Sequence, residues 1–392
     1  MKSEKSPAVL PTEQEILDLN LAEKWERVVR RRSFLKGLGV ATATVSAGAL
    51  LLSHTDAFAQ TTTGTLSKGD ADILRFLATA ELIESDLWQQ YNELGGAHGG
   101  NPAYILALQN LDGDMPQYIE DNTDDEISHA AFLNAYLISR GEAPVDLDAF
   151  RTLPSSQATG AQDIGRLTNL MSLNVDTSWY TRYRSDKNPD LGATFTGPVT
   201  IRHEPAIPLN DTDTPPTQSQ PVPPVTKQQR RMQAIANTAG FHFAFIEQGG
   251  SSLYPTMALK VTDLEVLRIV ISIGGVEVDH FGLWHDKAGN AVSQPLAGVT
   301  DPETGVTFPD LNNPPTELTQ TNKILPEPCD FIQKGTLPKC SVIRPVSTVG
   351  KSGAVAAIQG FINDRLFLGQ SQAFLKTVMD LAAAADAATR GF

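Results

Sequence analysis

The sequence predicts an all-α chain whose centre is a four-helix bundle, and three observations lead there. Four stretches, near 70–93, 115–140, 227–248 and 262–289, repeat apolar residues at the three- and four-residue spacing of a helix face. Two of them hold a Glu and a His three apart, Glu126-Ile127-Ser128-His129 and Glu277-Val278-Asp279-His280. At 3.6 residues per turn, such a pair lies one turn apart on a single face and can reach one point. The other two stretches each place a Glu among apolar neighbours, Glu81 and Glu247. One Glu from each of two helices and a Glu-x-x-His from each of two more make the ligand set of a carboxylate di-metal bundle.

Residues 1–59 read as an address rather than as part of the fold. Arg31-Arg32-Ser33-Phe34-Leu35-Lys36 resembles a twin-arginine signal, an apolar run follows over 37–52, and Ala57-Phe58-Ala59 is a small-x-small cleavage site before Gln60. The run is short for a membrane span, which needs about 20 residues. The expectation is a periplasmic or secreted protein with no membrane attachment after cleavage. Export of an already folded chain suits a protein that acquires metal in the cytoplasm. The whole chain has a formal net charge of −14; residues 1–59 hold 8 of its 31 basic and 7 of its 45 acidic residues, so the remainder stands at −15. That charge argues against nucleic acid and anionic membrane surfaces as partners. Cys329 and Cys340 stand in a late loop, where an oxidising compartment permits a disulfide.

The first helical stretch, in the segment 60–141, carries Ile73, Leu74, Leu77, Leu87 and Tyr91, and Gly95-Gly96 stops it. Glu84, one turn from Glu81, competes with it for a place at the site or stands behind it; Trp88 lies two turns along the same face. A short helix is expected near 103–111. The second stretch buries Ile127, Phe132, Leu133, Tyr136 and Leu137, and Asp125 is placed to reach a metal-bound His on another helix. An insertion over 142–226 follows. Trp179, Tyr180 and Tyr183 beside Arg182 and Arg184 read as packing or a subunit contact, and a Pro-rich tract runs to 224 as extended chain.

The segment 227–289 supplies the other two helices. Glu247 is the one acidic residue between Lys227 and Asp263, and a lone carboxylate among Phe, Ala and Ile is costly to bury unless paired or metal-bound. Tyr254 follows it by seven, as Trp88 follows Glu81. The last stretch opens with Thr262 as N-cap and Glu265 three on; its first half is apolar nearly all round and reads as a central, buried helix. Gly274-Gly275 points to a close helix contact or a bulge. Residues 290–352 read as irregular, and 353–392 as one further helix.

Four carboxylates and two imidazoles can hold two divalent ions. Glu126 and Glu277 are expected to bridge, Glu81 and Glu247 to be terminal carboxylates, and His129 and His280 terminal nitrogens. An oxygen-rich set with neutral imidazole suits iron or manganese. Zinc more often recruits Cys or three His. His242 and His285 sit five residues from Glu247 and His280, about 140° off the ligand face, and read as packing or surface groups.

Ala80-Glu81-Leu82-Ile83-Glu84-Ser85-Asp86-Leu87-Trp88, Asp125-Glu126-Ile127-Ser128-His129, Phe245-Ile246-Glu247-Gln248-Gly249-Gly250 with Tyr254, and Val276-Glu277-Val278-Asp279-His280 resemble the four helices of the ferritin-like superfamily. Within it they are most similar to the bacterial and plant group that includes desiccation-related proteins. The resemblance implies an up-down-down-up four-helix bundle with one long crossover, here the insertion between its second and third helices; the additional C-terminal helix is read from the residues alone. The resemblance does not fix the activity; the ligand set leads to the expectation of two iron or manganese ions, with a small-molecule oxidant, O2 or H2O2, as reaction partner, and homo-oligomerisation stays open. The leading expectation is an oxidoreductase protecting against oxidants; a non-catalytic stress scaffold with a structural metal or none and a manganese-catalase-like enzyme are the alternatives. Length, export signal and insertion set the chain apart from cage-forming ferritins, and Trp88 stands where such proteins often have Tyr.

Overall fold

Ser67 opens the first helix by accepting a hydrogen bond from the Asp70 amide, and Asp70 in turn accepts from the amides of Thr262 and Asp263. A single cap thus ties the start of the bundle to its last turn. The computed structural model describes residues 65–177, 201–216, 219–311 and 353–391. Residues 1–59, read above as an export signal, the aromatic–basic residues 179–184, and Cys329 and Cys340 lie outside these described residues.

Helix α1 (Lys68–Gly95), the short α2 (Pro102–Gln109) and α3 (Met115–Ser139) come first. Two short strands, β1 (Leu173–Val175) and β2 (Ile201–Glu204), pair antiparallel in the insertion. Then come α4 (Lys227–Ala258), α5 (Leu264–Lys287), α6 (Ala354–Asn363) and α7 (Gln372–Ala387). Cross-helix bonds fix the directions. Arg75 meets Glu142 just past the end of α3, while Thr123 donates to the Trp88 carbonyl, so α1 and α3 are antiparallel. Trp88 meets Glu247 and Tyr91 meets His242, so α1 and α4 are antiparallel too. Tyr136 donates to Glu265, and Asp125 meets His280, which sets α3 against α5. The result is an all-α, up-down-down-up bundle, with α7 packed on α1.

The apolar stripe of α1 (Ile73, Leu74, Leu77, Leu87, Tyr91) is fully buried. Each such Leu or Ile contributes about 1.5–3 kcal/mol of transfer free energy. The insertion is anchored to the outer side of α1: Asp86 accepts from the amides of Leu167 and Thr168, and the fully buried Arg166 pairs with Glu93. Among the described residues no helix is long and apolar enough to cross a membrane.

Four expectations need correction. Helix α4 does not stop near 248 but continues to Ala258 through Pro255. An interior proline costs about 3 kcal/mol; the extra turns carry Tyr254 to a buried partner on α1. The N-cap of α5 is Asp263, whose carboxylate accepts from the amides of Glu265 and Val266, rather than Thr262, whose own amide is held by Asp70. Helix α5 is not buried all round either. Val266, Val270, Ile273 and Glu277 face the core, while Leu264 is 70% and Ile271 59% exposed, and Phe132 of α3 is 50% exposed. Finally, the C-terminal helix is broken. The chain turns at Arg365, at a positive φ, and restarts with Ser371 as N-cap of α7, so that Phe367 stacks edge-on with Phe361 and Phe374.

Candidate metal centre

The four long helices bring Glu81, Glu126, His129, Glu247, Glu277 and His280 together, all buried. They form two overlapping groups. Glu81, Glu126, His129 and Glu277 each offer an atom within 4.8 Å of the others, and so do Glu126, Glu247, Glu277 and His280. Glu126 and Glu277 belong to both. His129 Nδ1 lies 3.4 Å from Glu81 Oε2, 3.3 Å from Glu126 Oε2 and 3.7 Å from Glu277 Oε1. His280 Nδ1 lies 3.1 Å from Glu126 Oε1 and 3.3 Å from Glu247 Oε2. Each oxygen of Glu126 therefore faces a different imidazole.

The surrounding residues are arranged reciprocally. The Trp88 indole of α1 donates to Glu247 Oε1 of α4 at 2.9 Å, and the Tyr254 hydroxyl of α4 donates to Glu81 of α1. Each ligand carboxylate is thus held by the aromatic residue that follows the other one by two turns. Asp125 Oδ2 lies 3.1 Å from His280 Nε2. With the Nε2 proton directed to Asp125, the Nδ1 lone pair is left facing the centre. Glu84 is buried on the same helix but contributes no atom to either group, which separates it from Glu81.

A scan against protein-family models matches residues 69–290, more than half of the 392-residue chain, to the ferritin-like domain. This chain belongs to the ferritin-like family. No curated protein matches it, and no solved structure does.

The chemistry of the ferritin-like site fits bound metal cations. Glu81 Oε2, Glu247 Oε2, both oxygens of Glu277 and His280 Nδ1 are buried without a hydrogen bond. Buried polar groups are ordinarily paired, and an orphaned one costs about 1–3 kcal/mol, more when charged. Burial pushes the Glu81 carboxyl up to about 8, helped by the charge of Glu126, and raises Glu247, Glu277 and Glu84 as well. Glu126 goes the other way. Burial opposes its charge, but the two imidazoles beside it, His129 and His280, prevail and hold it at about 2. Burial opposes the imidazolium of His129, yet Glu126 and Glu81 raise it to about 10; His280 is raised by Glu247, Asp125 and Glu126. Protons on carboxyl and imidazole groups thus take the part that divalent ions would take.

Several contributors escaped the sequence reading. Asn122, one turn before Glu126, donates to Glu126 Oε1 and Glu247 Oε1 and accepts from the Trp284 indole. Its place on the ligand face of α3 was the available signal. Gly250 leaves room for Glu277: a Cβ there would stand 1.9 Å from Glu277 Oε2. The close helix contact expected at Gly274-Gly275 falls on Gly274, whose Cβ would stand 2.7 Å from that of Tyr254, whereas Gly275 has open space. His242 is a fully buried group bonded to Tyr91, and the buried His285 stacks edge-on with Phe281.

Proposed function

We propose that this ferritin-like chain is an exported protein that holds two iron or manganese ions and reacts with dioxygen or hydrogen peroxide, protecting the cell envelope from oxidants. The observation that carries the reading is the pair of overlapping ligand groups sharing Glu126 and Glu277, with Glu81 Oε2, Glu247 Oε2 and both oxygens of Glu277 buried without a hydrogen bond. Glu81 and His129 would hold one ion, Glu247 and His280 the other, and Glu126 and Glu277 would bridge them. Such a pair exchanges electrons with O2 or H2O2. The chain supplies the setting. Trp88 and Tyr254 fix the terminal carboxylates, Asn122 restrains Glu126 against Glu247, and Asp125 orients His280. A bundle serving only as scaffold has no use for Glu247 buried among Phe243, Ala244 and Ile246. The helix motifs and the twin-arginine segment also support a place in the desiccation-related group.

The test is metal analysis of purified protein, followed by Fe(II) oxidation and peroxide consumption after loading with iron and manganese separately. About two ions per chain are expected, with turnover abolished by Glu247→Ala. Failure to bind either metal, or metal-loaded protein inert to both oxidants, would overturn the reading. Export is checked separately: Lys at both Arg31 and Arg32 should leave the precursor in the cytoplasm, and undiminished export would refute that part.

A further inference from the structure

The outward side of α5 is left uncovered by the described residues. Leu264 is 70% and Ile271 59% exposed, and the seven-residue step between them sets both on one line of the helix. Gly275 and Gly282, also seven apart, continue that line, and a Cβ at either would meet open space. Half-buried Leu267 and Val278 flank the line on one side, and exposed Arg268 and Asp279 on the other. Glu277 and His280 face the opposite way, into the candidate metal centre.

Glycine weakens a helix interior wherever it stands. Gly274 is required by the close approach of Tyr254, but nothing among the described residues requires Gly275 or Gly282. The outward line thus carries two apolar bumps and two hollows at the same spacing. The midpoint between Ile271 and Gly275 is position 273, and so is the midpoint between Leu264 and Gly282. A second α5, turned antiparallel about a two-fold axis at that position, seats Ile271 over the partner's Gly275 and Leu264 over the partner's Gly282. In such a pair each flank meets the same flank of the other helix. Leu267 then falls beside the partner's Val278, and Arg268 beside the partner's Asp279, each twice by symmetry. A parallel pair would set Arg268 against its own copy and leave the hollows facing each other.

We propose that α5 is a self-complementary surface through which two copies of this chain pair antiparallel, bump into hollow. The pairing covers the exposed Leu264 and Ile271 without touching either ligand of α5, and it does not depend on the metal reading. A single helix pair lies at the low end of interface sizes, so the association is reversible.

Sedimentation velocity of the purified protein from about 1 to about 100 μM should show monomer giving way to dimer, as suits an interface of this size. Gly275→Leu fills a hollow and should weaken pairing by roughly 100-fold or more. Its monomer should melt no lower, because leucine is the better helix former and has room there. Arg268→Glu and Asp279→Arg should each weaken pairing by roughly tenfold, and the two together should restore it. A chain still monomeric at about 100 μM, or a dimer indifferent to Gly275→Leu, would overturn the proposal. Failure of the charge-exchanged double variant to recover would overturn the antiparallel register. Ile271→Cys supplies the remaining arm, with maleimide labelling of that peptide followed by mass spectrometry. Labelling should be fast in dilute monomer and slow in dimer; a monomer that resists it would show the line covered by a segment of its own chain, and the proposal would fail.

Discussion

Gly250→Ala tests the geometry of the site without touching any proposed ligand. The new Cβ would stand 1.9 Å from Glu277 Oε2, where ordinary contact begins near 3.4 Å, so the carboxylate must retreat by about 1.5 Å. In metal-free protein that retreat is cheap, because the far end of a side chain moves; the helix also gains up to about 1 kcal/mol from replacing glycine. Metal coordination has no such latitude, since ligand distances hold within about 0.2 Å. Losing one carboxylate shared by both ions should cost at least about 3 kcal/mol, or roughly 100-fold in affinity. Gly249→Ala, one residue earlier and with open space around its Cβ, is the control and should bind as the native protein does. Calorimetric titration with Mn(II), alongside thermal melts of the metal-free variants, reads both quantities. Native affinity in Gly250→Ala with an unchanged fold would refute the placement of Glu277 at the metals.

His280→Ala should lower metal content to about one ion per chain, whereas His242→Ala and His285→Ala should leave it near that of the native protein; equal loss in all three would show that the helical phase is wrong. Asp125→Asn should weaken binding by roughly 10- to 100-fold through His280 alone, and unaltered affinity would remove Asp125 from the site. Stability of the metal-free protein should fall as pH rises. Folded Glu81 keeps its proton up to about 8 and His129 up to about 10, whereas the unfolded chain releases them near 4.5 and 6.5. The folded state therefore binds more protons in that window, and raising pH favours unfolding. Metal-loaded protein should lack this decline, so melting curves of the two forms should diverge from about pH 5 to about pH 8; parallel curves would contradict the assignment.

Much of the site was legible because helical phase is local. The two Glu-x-x-His spacings, the lone Glu247 and the repeated seven-residue step to Trp88 and Tyr254 lie along single helices, where 3.6 residues per turn dictates the shared face. Glu81 and Glu84, one turn apart, could not be separated that way; only the rotation of α1 against its neighbours puts Glu81 in the ligand group and Glu84 outside it. Helix α5 shows the opposite error. Its apolar residues look like burial on every side, yet a helix packed along one edge of a bundle leaves Leu264 and Ile271 in the open.

The sequence by itself determined the helices, the ligand types and their spacing, since backbone propensity and periodicity are carried within each segment. The tertiary structure alone decided which partners meet across helices: Trp88 with Glu247, Tyr254 with Glu81, Asp125 with His280, and Tyr91 with His242. Those contacts join residues distant in the chain, and they depend on axial shift and rotation between helices, which packing of whole faces sets and no local pattern records.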